Sequence, residues 1–85
     1  MTKFGEIQNL DIKCVNWLAG DNTYTTHELI SEAVNVLACV DELHDIYARC
    51  VYHMNNFSNL SLSEQIEEGE DIVEELSGYL GEWLE

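Results

Sequence analysis

Three observations predict an all-α fold, a small acidic bundle of three to four helices with one long central helix. Proline is absent from the 85 residues, and proline is the residue that breaks helix interiors most strongly. Apolar residues recur at steps of three and four along most of the chain, the period of a helix face. They make up 46% of the sequence, the ordinary globular share, so the chain has a core to build although its charge would suit a disordered tail. At this length it reads as a single all-helical acidic domain over residues 1–85.

The first helix is predicted from about Gly5 to Ala19. Ile7, Leu10, Cys14 and Trp17 follow 3-4-3 spacing, Val15 and Leu18 widen that face, and Gly20 suits a C-terminal stop. Ile12, Cys14 and Val15 leave a short strand open as the alternative for part of residues 5–19. GDNTYT (Gly20 to Thr25) reads as a turn, and Thr25 with Glu28 three residues on forms a capping box. Leu29, Ala33, Val36, Val40, Leu43, Tyr47, Cys50 and Met54 then alternate steps of four and three, a heptad-like seam. One helix over 26–55 would span roughly 45 Å. Ile30, Leu37, Ala48 and Val51 flank the seam, and Asp41 as a new cap leaves open whether this helix is continuous or bent near 40–42. NNFSNLS (Asn55 to Ser61) reads as a loop, with Ser61 and Glu64, or Ser63 alone, capping the last helix.

That last helix divides cleanly on a wheel. With Glu64 at zero, Ile66, Ile72, Val73, Leu76, Tyr79, Leu80, Trp83 and Leu84 fall between about 60° and 200°. The nine carboxylates from Glu64 to Glu85 fall between about 240° and 40°, through zero. Gly69 lies inside the apolar arc, which predicts the close approach of another helix. Gly78 and Gly81 cost about 1 kcal/mol each in helix propensity, so packing must hold the end in place.

Composition narrows the function classes. Seventeen acids face only Lys3, Lys13 and Arg49, for a formal net charge of −14. Direct nucleic-acid binding needs clustered cations, and anionic membranes repel such a chain. No stretch approaches the ~20 apolar residues of a membrane span. MTKFGEIQNLDIKC carries no apolar signal core, and Cys14, Cys39 and Cys50 form no C-x-x-C, which predicts a reduced, cytoplasmic setting, or the host cytoplasm if the chain is phage-encoded.

Enzyme chemistry finds little support, and the chain reads as non-enzymatic with no cofactor. His27, His44, His53 and the cysteines lack paired zinc-ligand spacing. HELIS (His27 to Ser31) has Ser31 where a zinc protease needs its second histidine, and Glu28 is accounted for by the cap. Glu64, Glu68, Asp71 and Glu75, with Glu28 and Glu32, recur at helical spacing as carboxylate metal bundles do, but the terminal acids face away from the apolar arc.

The acidic face itself carries the functional signal. No cation follows Arg49, so Glu64/Glu68, Glu67/Asp71, Glu70/Glu74 and Asp71/Glu75 are like-charge i, i+4 pairs, each mildly destabilising. From Glu64 to Glu85 there is one carboxylate per roughly 3.7 Å of helix, against ~3.4 Å per phosphate along a DNA strand. Glu64, Glu67, Glu68, Asp71, Glu74, Glu75 and Glu82, with Asp41, Glu42 and Asp45, are the expected partner-binding residues. Tyr24, Phe57 or Trp83 would supply anchors. The crowding of like charges, together with burial, also predicts that some folded-state carboxylates titrate high.

YTTHELISEAV followed by DELHDIYARC, and the glutamate-rich IEEGEDIVEELSGYLGEWLE, resemble the DNA-mimicking antirestriction proteins of the Ocr type over a third to a half of the chain. Members of that family are acidic helical dimers that occupy the DNA-binding groove of type I restriction enzymes. The resemblance implies a similar role for Glu28, Glu32, Asp41, Glu42, Asp45 and the terminal helix. The expectation is a phage- or mobile-element-type inhibitor that blocks a restriction enzyme, a CRISPR nuclease or a DNA repair enzyme by filling the basic groove of that host protein. The alternative is an acidic interaction module (antitoxin, adaptor or assembly subunit) that binds a partner through its apolar seam. The same seam would serve a homodimer.

Overall fold

Four helices form among the described residues, three of them bounded at one end by a device visible in the sequence. The structure, a computed structural model, describes residues 3–85. In chain order these are α1 (Lys3–Leu18), α2 (Thr26–Leu37), α3 (His44–Asn56) and α4 (Leu62–Leu84), with single 3₁₀ turns at Asp41–Leu43 and Phe57–Asn59. No strand occurs among the described residues, so the strand alternative for residues 5–19 is overturned.

The ends of α1, α2 and α4 follow hydrogen-bonding logic. Gly20 takes φ 105°, a conformation that strains residues bearing a Cβ. There its N–H reaches the Trp17 carbonyl and that of Asp21 reaches Asn16, each at 3.0 Å. These two bonds make a Schellman motif, which satisfies carbonyls that the helix end would otherwise orphan. Thr25 accepts from the Glu28 N–H while Glu28 accepts from the Thr25 N–H, the reciprocal capping box. Ser61 and Glu64 repeat it at the start of α4.

The central element is two helices, not one. α2 stops at Leu37, and Val40 adopts an extended conformation (φ −106°, ψ 97°) before the 3₁₀ turn. Asp41 does not cap a new α-helix; it opens the 3₁₀ turn, whose N-cap is Val40 with no side-chain hydrogen bond. The burial pattern gives the reason. Leu37, Val40, Leu43 and Ile46 are all buried, at successive steps of three. A repeat of three is the period of a 3₁₀ turn, whereas an α-helix would carry one of these four off the core.

α1 packs chiefly on α4 and α2 on α3, with α2 also touching α1 and α4. The core between them holds Ile7, Leu10 and Cys14 from α1 and Leu29, Ile30, Ala33 and Leu37 from α2. Cys50 joins it from α3, and Ile72, Val73, Leu76 and Leu80 from α4. The seam residues Leu29, Ala33, Val40, Leu43 and Cys50 are therefore interior, and Val36, Tyr47 and Met54 pack against them. A seam used inside one chain offers no face to a partner or to a second copy. Among the side chains assigned to the core by their spacing, Val15, Leu18 and Ile66 are about half exposed. Val15 is ~100° around α1 from Cys14, Leu18 is the last helical residue, and the first turns of α4 project past the core, whose α4 contribution begins at Gly69.

Gly69 does what its place on the wheel predicts. It is buried, and a Cβ there would sit 2.5 Å from Thr26 Oγ1 and 3.0 Å from Thr26 Cβ. The first turn of α2 thus rests directly on the α4 backbone. Gly78 and Gly81 have nothing within 4 Å of the same position. Gly69→Ala should lower stability by about 1–3 kcal/mol in urea denaturation, as overpacking does. Gly78→Ala should raise it by about 0.5–1 kcal/mol through propensity alone.

A candidate acidic interface

The acids of α4 lie where the sequence places them, but they divide into three kinds. Glu67, Glu70, Asp71, Glu74 and Glu82 are exposed, and no side-chain hydrogen bond or ion pair holds their carboxylates among the described residues. Glu75 is paired: Arg49 Nη1 lies 2.8 Å from each of its carboxylate oxygens. Both side chains are 44% exposed, so solvent screens the pair and it contributes little, about 0–1 kcal/mol. Glu68 and Glu64 are built into the fold.

Glu68, a surface acid by its spacing, holds the most buried polar side chain of the core. His53 is 0% exposed, and its Nδ1 lies 2.7 Å from Glu68 Oε1. An ionised carboxylate only accepts, so Nδ1 carries the hydrogen and donates. His53 Nε2 is buried with no partner. The ring is packed edge-on against Phe57, whose ring also meets that of His27 at 4.3 Å, tilted by 44°. Phe57 is thus committed to two histidines and is not an available anchor. Periodicity could not find this arrangement, because His53 falls one residue from the Met54 position of the seam.

Glu64 belongs to the cap. The Ser61 backbone and hydroxyl bonds hold its carboxyl below the usual carboxylate range. Asp21 is lowered likewise by Thr23, whose hydroxyl and N–H both bond to it. Asp11 is raised, and of the two causes expected from the sequence it is burial that raises it. Cys14 and Cys50 are fully buried, and desolvation pushes both thiols up to about 12. They therefore act as small apolar side chains.

The grooves beside α4 show which residues the fold brings together. One shallow depression is lined by Arg49, Glu64, Glu67, Glu68 and Asp71. The next along the helix is lined by Glu75, Gly78, Tyr79 and Glu82. A third adds Glu42, Leu43 and Trp83 to Tyr79 and Glu82. These share residues or succeed one another on α4, so the acids form one ribbon from Glu64 to Glu82 that continues onto Glu42. At 23 residues α4 is roughly 34 Å long, nearly the full 36 Å extent of the molecule.

Asp41 and Asp45 are exposed but line none of these grooves. Asp45 sits in the first turn of α3, where a carboxylate favours the positive end of the helix dipole. Glu28 and Glu32 lie apart, beside Tyr24 and His27 on α2. Glu28 serves the cap, and Glu32 accepts from Lys13 Nζ at 2.7 Å. Lys13 also stands 5.0 Å over the Tyr24 ring. Trp83 is partly buried against the core, 6.0 Å from Phe4. Tyr79, assigned to the core by its spacing, is 38% exposed in the middle of the ribbon.

No group of three or more His, Cys, Asp or Glu among the described residues is placed to hold a metal ion. No helix of the described residues is long and apolar enough to cross a membrane. The fold and surface define a small acidic four-helix protein whose α4 face is acidic apart from Arg49, which is paired with Glu75. Comparison with protein-family models, curated proteins and solved structures finds no match.

Glu68→Ala should cost about 1–3 kcal/mol in thermal or urea unfolding, because it leaves a buried N–H without its acceptor, whereas Glu67→Ala should cost a few tenths at most. Glu64 has a lowered folded-state value, so its stabilising contribution is present above the ordinary carboxylate range and is lost as pH falls through that lower value. Melting curves of Glu64→Gln and wild type should therefore converge at the acid end.

Proposed function

We propose that this protein is a non-enzymatic DNA mimic, an inhibitor of the phage or mobile-element kind, whose α4 ribbon fills the basic groove of a host nucleic-acid-binding protein. The observation that supports this most is the set of exposed, unpartnered acids Glu67, Glu70, Asp71, Glu74 and Glu82 on one rigid helix. The fold gains nothing from them. Their mutual repulsion costs stability, and Glu82 stands in the C-terminal stretch of a helix with no basic residue in its last turn, the wrong end of the dipole for an anion.

The mechanism is electrostatic. A strongly acidic face steers a basic groove into contact and competes with DNA for it. Rigidity matters because a preorganised charge row loses little entropy on docking. α4 is held by Ile72, Val73, Leu76 and Leu80 in the core and by the Gly69–Thr26 contact. Tyr79 replaces Phe57 as the aromatic anchor, since it is exposed among the acids. The reading as a module docking through its apolar seam loses support, because that seam is the core.

Affinity capture from a bacterial lysate, eluted with duplex DNA, tests the proposal and identifies the target as a restriction, CRISPR or repair protein. Binding should weaken roughly ten-fold or more between 50 and 300 mM salt. The triple variant Glu67→Gln, Asp71→Asn, Glu74→Gln should bind more than roughly ten-fold weaker, yet melt no lower than wild type because it relieves repulsion. Binding that DNA does not displace and salt does not weaken would overturn the proposal.

A further inference from the structure

Gly78 and Gly81 both cost α4 helix stability, and a Cβ at either would meet nothing within 4 Å, so packing requires neither glycine. Gly78 lines a depression on the surface together with Glu75, Tyr79 and Glu82, and Gly81 is not among these residues. The spacing explains the shape. Positions 75, 78, 79 and 82 stand at i, i+3, i+4 and i+7, neighbours on one side of a helix. Any side chain at 78 would stand between the Glu75 and Glu82 carboxylates, beside the Tyr79 ring. Glycine leaves that space open.

The fold shows twice how such groups hold a cation. Lys13 Nζ stands 5.0 Å over the Tyr24 ring and 2.7 Å from Glu32 Oε1, shared between an aromatic face and a carboxylate. Arg49 Nη1 lies 2.8 Å from each oxygen of Glu75, on α4 itself. Tyr79 and Glu82 offer the same combination of ring and carboxylate, and no basic side chain among the described residues reaches either. Tyr79 also lines a second depression, where Glu42 and Trp83 add another carboxylate and another ring.

Resting on the reading of α4 as a face for a basic groove, we propose that the gap at Gly78 receives one arginine side chain of the partner. The guanidinium lies over the Tyr79 ring and donates to Glu82, while Glu75 keeps Arg49. Charge alone would admit a lysine anywhere along the ribbon. Arginine is selected here because its plane stacks on a ring while its fork binds a carboxylate, and a strongly hydrated ammonium does both less well. Gly78 and Tyr79 thus make one point of the ribbon selective for a side chain, where the remaining acids select only for charge.

N-acetyl-arginine amide, a probe with a single cation, tests this with no target protein present. In an amide-resolved NMR titration at matched ionic strength, shifts should cluster at Gly78, Tyr79 and Glu82. The lysine counterpart, N-acetyl-lysine amide, should bind several-fold more weakly. Tyr79→Leu should bring arginine down to the lysine level. Gly78→Met should weaken arginine binding several-fold by filling the gap, yet melt no lower than wild type, since methionine is the better helix former. Gly81→Met should bind like wild type. Shifts spread evenly over the acids of α4, equal binding of the two probes, or undiminished binding by Gly78→Met would overturn the proposal. Its failure is separable from that of the mimic reading. α4 can compete with DNA by charge without this receptor, and the probe can bind here even where DNA displaces nothing.

Discussion

Self-repulsion is the constraint that the rest of this fold answers. With 17 acids and three cations in 85 residues, the surface opposes compaction, and ion pairs can return little. Lys13–Glu32 and Arg49–Glu75 are partly or largely in solvent, where such pairs contribute marginally. Stability must therefore come from the apolar interior and from local devices that ask nothing of charge. The two capping boxes, the Schellman turn at Gly20 and the Thr26–Gly69 contact are devices of that kind. Each satisfies backbone groups or allows close packing without a cation.

Those devices are also the most legible part of the sequence. Thr25/Glu28, Ser61/Glu64, Gly20 and Gly69 each speak through chemistry confined to a few neighbouring residues. The break between α2 and α3 is harder to read. Val36, Val40, Leu43 and Tyr47 fit an unbroken helix, while Leu37, Val40, Leu43 and Ile46 fit a 3₁₀ turn. Because Val36/Leu37 and Ile46/Tyr47 are adjacent apolar pairs, one stretch supports both periods. Packing decides between them: Leu37 and Ile46 are buried and Val36 and Tyr47 only partly so.

The acidic face is legible as a face but not in its divisions. A wheel places Glu67, Glu68 and Asp71 together without showing that Glu68 turns inward to His53. That bond joins residues 15 apart in sequence, and no local rule connects them. The same limit explains Val15, Leu18 and Ile66. Periodicity tells which residues share a side of a helix, but the width of the buried side depends on how many neighbours the helix has and where along its length they end.

The arrangement of α4 separates what holds the chain together from what meets the solvent. Ile72, Val73, Leu76 and Leu80 are fixed by the core, Gly69 by Thr26, Glu68 by His53 and Glu64 by Ser61. Glu67, Glu70, Asp71, Glu74 and Glu82 answer to none of these partners. Substitutions among them change the surface without a folding penalty, so this ribbon is free to drift while the scaffold stays put. A protein engaged in a contest with a changing opponent would benefit from that independence, since its contact face can be rewritten one residue at a time.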